Sequence, residues 1–194
     1  MTNGLWGTGP DDVWATSAAG TLLHFHGSSW SETPSGTSAE LWGIWSQGEN
    51  DAWAVGAEGT ILRWDGSSWS SVDSGTDRHL DSVWGSAADD VWAVGEAGTI
   101  LNWDGSAWTQ VESGTNRFLE IVWGLSNDDV WAVGEAGTIL HWDGSAWSES
   151  TSGSDGYLAG IWGTASDDVW AVGDVMLHWD GSSWSEALGD GLLR

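Results

Sequence analysis

Residues 128–147 read DDVWAVGEAGTILHWDGSAW, and residues 89–108 repeat that text with one change, Asn102 in place of His141. The stretch divides itself. VWAVG and TILHW are runs of Val, Ile, Thr and Trp near the usual strand length of ~5 residues, and the Asp143-Gly144 that follows is a strong tight-hairpin signal. LEIVWG (119–124) stands upstream, and WSEST (147–151) stands downstream before the turn residues SGSDG, so the unit is four short strands punctuated by turns. No i, i+3, i+4 pattern reaches helical length, and 29 glycines in 194 residues oppose one.

The unit extends over the whole chain. Trp6, Trp45, Trp84, Trp123 and Trp162 are each 39 residues apart, as are Trp14, Trp53, Trp92, Trp131 and Trp170. The first copy has drifted most, with Phe25 and His26 where the others have Trp and Asp, and the fifth is two residues shorter around Asp174. A four-stranded antiparallel unit of this length, repeated with aromatic and glycine punctuation, is the pattern of a propeller blade. The expected fold is all-β, a five-bladed β-propeller with four antiparallel strands per 39-residue blade, closed as a ring. As one domain its blades run about 2–38, 39–77, 78–116, 117–155 and 156–194. A linear solenoid is the competing architecture, but it needs polar caps, and the terminal copies keep the same apolar strand text. Gly191 to Leu193 are candidates for extra pairing at the seam of the ring.

The run W-A-V-G-x-x-G-T-I-L-x-W-D-G-S-x-W resembles the repeats of photosystem-assembly-factor-type propellers and, more loosely, the Asp-box hairpin of sialidase-like propellers. The resemblance covers every blade and implies the fold; such repeats recur in proteins of many activities. In blade number alone the chain is similar to tachylectin-type sugar-binding propellers.

Composition removes several function classes. With a formal net charge of -25 the chain cannot neutralise phosphates, which excludes nucleic acid, and an anionic membrane surface repels it. No Cys means no disulfide, thiolate zinc site or thiol nucleophile, and no Lys means no side-chain Schiff base. Aromatic residues at 12% and hydrophobic ones at 40% put this acidity around a real core. The opening residues MTNGLWGTGP carry no secretory leader, while a sugar-binding role favours a secreted or cell-surface setting.

The 20 tryptophans divide by position. Trp92 and Trp103 alternate with Val94 and Leu101 and are expected between blades, whereas Trp30, Trp69, Trp108, Trp147 and Trp184 open the outermost strand and are candidates to stack on a sugar. Trp42, outside the repeat pattern, joins them. The pairs Asp11-Asp12, Asn50-Asp51, Asp89-Asp90, Asp128-Asp129 and Asp167-Asp168 read as side chains capping their own turns, as do Asp65, Asp104, Asp143 and Asp180. No D-x-D-x-D-G loop is present, so no metal or other cofactor is expected. By strand order both sets of turns lie on one rim, which becomes strongly negative and suits a basic protein surface.

Positions where the copies disagree carry the functional candidates. In the third strand they are His24, Arg63, Asn102, His141 and His178, read either as a cleft between blades or as an outer edge satisfied by water. In the connections between blades they are Glu40, Arg78, His79, Arg117, Phe118 and Tyr157, on the rim opposite the Asp turns with Glu58, Glu96, Glu135 and Asp174. Five near-equivalent pockets do not supply the asymmetric constellation that catalysis needs, and no G-x-S-x-G or H-E-x-x-H occurs, so an enzyme is not expected. Two readings remain: a multivalent carbohydrate-binding propeller taking a glycan or small polar ligand at inter-blade sites, or a non-catalytic structural or protein-interaction propeller.

Overall fold

The computed structural model describes residues 2–187 and places them in five four-stranded antiparallel sheets, one per repeat. The inner strands are Thr2–Gly9, Leu41–Gly48, Leu80–Ala87, Leu119–Ser126 and Leu158–Ala165. The second strands are Asp12–Ser17, Asp51–Gly56, Asp90–Gly95, Asp129–Gly134 and Asp168–Gly173. The third strands, Leu22–Phe25, Ile61–Trp64, Ile100–Trp103, Ile139–Trp142 and Met176–Trp179, are followed by outer strands Trp30–Thr33, Trp69–Val72, Trp108–Gln110, Trp147–Glu149 and Trp184–Glu186. Each sheet keeps chain order, and neighbouring blades meet mainly through their inner strands, so the molecule is a five-bladed β-propeller. The proposed seam residues Gly191 to Leu193 lie outside the described residues.

Local chemistry sets the turns. In the third blade the Asp104 Oδ1 accepts from the Ser106 amide at 2.8 Å, the Ser106 hydroxyl at 2.6 Å and the Ala107 amide at 3.0 Å, while Gly105 takes a φ of +90. The serine hydroxyl first, then the amides, hold this carboxyl down to about 2, and Asp143 and Asp180 behave alike. A short 3-10 turn joins the second and third strands in blades 1–4; there Gly98 has a φ of +71 and lies so near the Thr115 carbonyl that a Cβ would sit 2.1 Å from it. Blade 5 replaces that turn with a tighter one closed by the Gly173 amide on the Val175 carbonyl at 2.9 Å.

Tryptophan triads hold the blades together. Trp14 of blade 1 meets Trp64 and Trp69 of blade 2 at 5.3 and 5.2 Å; Trp53 meets Trp103 and Trp108 at 4.9 and 5.2 Å. Trp92 with Trp142 and Trp147, and Trp131 with Trp179 and Trp184, repeat the arrangement. In each triad one ring stands nearly edge-on to the leading Trp, at 82° to 90°, the geometry that sets a positive ring edge against a negative face. This corrects the outer-strand expectation: Trp69, Trp108, Trp147 and Trp184 are buried at 7 to 9% exposure and offer no free indole face, because the preceding blade's Trp covers each of them.

Among the described residues no tryptophan triad joins blade 5 to blade 1, and Leu5 (68%), Trp162 (60%), Trp30 (47%) and Val172 (38%) stand exposed on those two blades. Their equivalents at the four formed junctions are covered, Ile44 at 5% and Trp45 at 3% among them.

Trp53→Ala should cost about 3–5 kcal/mol of unfolding free energy, because the fully buried indole leaves a cavity in the triad. Trp30→Ala in dilute protein should cost under about 1 kcal/mol, as expected for a surface change. Urea denaturation followed by far-ultraviolet circular dichroism measures both, and equal losses would refute the triad assignment.

Candidate functional site

The twelve candidate residues fall on two opposite rims and form no single site. His24, Arg63, Asn102, His141 and His178 lie toward the Asp rim, each paired with the Asp at the second position of its own blade's turn pair. The distances are 2.5 Å for His24–Asp12, 3.0 Å for Arg63–Asp51, 3.2 Å for Asn102–Asp90, and 2.9 Å for both His141–Asp129 and His178–Asp168. The side chains also cover the blade's Trp: His24 stacks on Trp14 at 3.7 Å, His141 on Trp131 at 4.1 Å, and the Arg63 guanidinium lies 5.0 Å from Trp53. His, Arg and Asn exchange freely here because each presents an N–H donor to the same carboxylate. These Asp residues therefore reach across the ladder, rather than only capping their own turns as their loop position suggests. At Asp12 burial opposes ionisation, but the hydrogen bonds of Thr8 and His24 and the charge of His24 outweigh it and lower the carboxyl. At Asp168 the Thr164 hydroxyl does most, followed by His178 and Trp170.

The opposite rim is assembled differently. Each inner strand pairs irregularly with the second strand next to its leading residue; in blades 2–5 the skipped residues are Trp42, Asp81, Glu120 and Ala159, and Asn3 is their counterpart in blade 1. Such bulges leave a residue out of the ladder and re-aim its side chain. Successive inner strands thus carry a row of five different residues at one mouth of the propeller. Trp42 was singled out from sequence, but Asp81 and Glu120 were not; the signal was the disagreement among the copies at this one register position.

Around the row stand the connection residues. Trp42 meets the exposed His79 edge-on at 5.2 Å, and His79 Nδ1 accepts from the Glu58 amide of the preceding blade at 3.1 Å. Tyr157 donates its phenol to Glu120, and burial with that carboxylate raises the phenol above its usual range. Asn3 Nδ2 donates to the Leu41 carbonyl at 3.0 Å and to Glu40 at 3.4 Å. Arg78 and Arg117 donate to the Ala97 and Ala136 carbonyls, both at 3.2 Å, so they clamp the 3-10 turns, while the Phe118 amide donates to Glu135 at 3.5 Å. Asp81 is half-buried and its Oδ2 has no hydrogen-bond partner. Burial, then the charges of Glu120 and Glu96, push its carboxyl up to about 7. Acidity therefore belongs to both rims, not mainly to the Asp turns. Among the described residues no three His or acidic side chains converge as a metal site.

Solved structures give the fold its relatives. The chain is similar to a structure described as YCF48 bound to D1 peptide (18% identity, TM-score 0.71, 96% of this chain, 66% of that one). It is similar also to a component of the COPII outer coat vertex (14%, 0.74, 96% and 60%) and to U3-55K (13%, 0.77, 95% and 64%). The chain thus spans under two thirds of the length of these chains, and at such identities the likeness concerns the propeller fold. No protein-family model and no curated protein sequence matches it.

The fold keeps Asp81 protonated where the unfolded chain has lost that proton. This contribution to stability is complete below the ordinary carboxylate range and is lost as pH rises through about 7. Asp81→Asn should therefore melt about 3 °C above the wild type at pH 8, roughly 1 kcal/mol once partial exposure is allowed for, and level with it at pH 4. An equal difference at both pH values would refute the assignment.

Proposed function

We propose that this chain is a non-catalytic, protein-binding propeller that takes a basic, partly apolar segment of a partner at the mouth where the inner strands bulge. The observation that carries the reading is the row Asn3, Trp42, Asp81, Glu120 and Ala159: one register position, placed in the same way in every blade, with a different side chain in each. A scaffold built of near-identical blades can discriminate between partners only where its blades differ. The half-buried Asp81 carboxylate, without a hydrogen-bond partner, suits a cation, with Glu96, Glu120 and Glu135 supplying further charge; Trp42, Phe118 and Tyr157 supply apolar and aromatic surface.

Two kinds of support stand beside it. One of the similar structures is described as bound to a peptide and another as part of a coat assembly, each said of its own protein. The carbohydrate reading drew in part on exposed outer-strand indoles, and four of those five are buried in the triads.

An array of peptides pairing Lys or Arg with an aromatic residue, beside acidic counterparts and a glycan array, tests the proposal. Binding should favour the basic set, weaken with salt and tighten as pH rises from 6 to 8, because Asp81 ionises through about 7. Asp81→Asn with Glu120→Gln should reduce affinity roughly tenfold, equivalent to about 1.4 kcal/mol. Binding to glycans alone, or peptide binding indifferent to both substitutions, would overturn the reading.

A further inference from the structure

We infer that the chain associates head to tail with further copies of itself, the exposed face of blade 5 receiving blade 1 of the next molecule. The two faces are the separated halves of an interface that the chain forms four times internally. At each internal junction the second-strand Trp of one blade meets the third- and outer-strand aromatics of the next; at the open end Trp170 stands ready as the first partner, and Phe25 with Trp30 are the second pair. The inner strands repeat the complementarity. Trp45 lies against Gly85, Trp84 against Gly124 and Trp123 against Gly163, each ring carbon within 3.1 Å of where a Cβ would be. Blade 5 carries the exposed Trp162, and at the equivalent Gly7 of blade 1 the three atoms nearest to where a Cβ would be belong to Val13, Asp12 and Gly9 instead of an indole. Leu5 and Val172 complete the match, since Ile44 and Val55 at the same register positions are buried within the chain.

The partner follows from this repetition. A surface presenting Gly7, Leu5, Phe25 and Trp30 in blade geometry is the surface for which Trp162, Trp170 and Val172 are already arranged, and a second copy carries it. The side chains concerned amount to on the order of 1,000 Å2 of buried surface, the lower end for a specific interface, so a reversible, concentration-dependent association is expected. Different surfaces meet, so the assembly is heterologous and adds subunits until its curvature closes it or a filament results. The net charge of -25 on every copy opposes the approach, so salt should promote association.

Sedimentation velocity across protein concentrations from about 1 to about 100 µM provides the test. The 20.6 kDa chain should shift to multiples of that mass as concentration and salt rise. Trp162→Asp and Leu5→Asp each block a different face and both alter exposed side chains, so each variant alone should remain monomeric with native circular dichroism. Mixed in equal amounts they should form one-to-one dimers and nothing larger, because each supplies the face that the other lacks. A wild-type chain that stays monomeric throughout overturns the inference, as does either single variant that still self-associates or a mixture that does not pair. Should a variant misfold, the wild-type concentration and salt series decides the question by itself.

Discussion

The contact on which the rest of this molecule depends is the packing of one indole against two others across a blade boundary. A blade of four strands averaging about five residues has few inward positions, and a wedge between two such blades is filled most economically by the largest side chain. The triad also fixes direction. Because the leading Trp comes from the second strand and its partners come from the third and outer strands of the next blade, each blade has a distinct front and back. Propagation from blade to blade, and the unlike surfaces at the two ends, both follow from that asymmetry.

Much of this was legible in the letters. Repeat length, strand number, hairpin positions and the packing role of Trp92 and Trp103 could be read because each rests on local chemistry or on periodicity. Four of the five outer-strand Trp residues are buried against expectation for a physical reason: a strand at the edge of its own sheet is exposed only if no neighbouring blade leans over it, and Trp14 leans over Trp69 as Trp53 does over Trp108. The third-strand residues were found as a variable position, but their partner was not, because Asp12 opens the second strand while His24 lies in the third, and only the ladder register brings them together. Asp81 and Glu120 escaped notice because a bulge is a feature of pairing between strands. Nothing in the local text LDSVWG announces it.

The two rims answer different demands. On the Asp rim, variation is confined to side chains that donate an N–H, since a blade lacking that donor would cost its carboxylate a hydrogen bond beside the blade's indole. Exchange among His, Arg and Asn there is a structural tolerance. At the bulge row no shared partner imposes such a limit, and Trp, Asp, Glu, Ala and Asn occupy the same place. The diversity is of another kind, changing charge, size and polarity together, so this is the mouth at which equivalent strands become chemically distinct.

Near-identity of the blades has a further consequence for a chain so acidic. When each junction resembles every other, a blade from one molecule is nearly as good a neighbour as a blade of the same molecule, and unpaired ends compete for partners throughout folding. Charge is the physical brake available. Screening confines the repulsion to roughly 8 Å at physiological ionic strength, so it does little to partners already in contact but raises the cost of encounter between copies. Acidity on both rims leaves the apolar blade faces intact, so it slows the wrong pairings without weakening the triads that make the right ones.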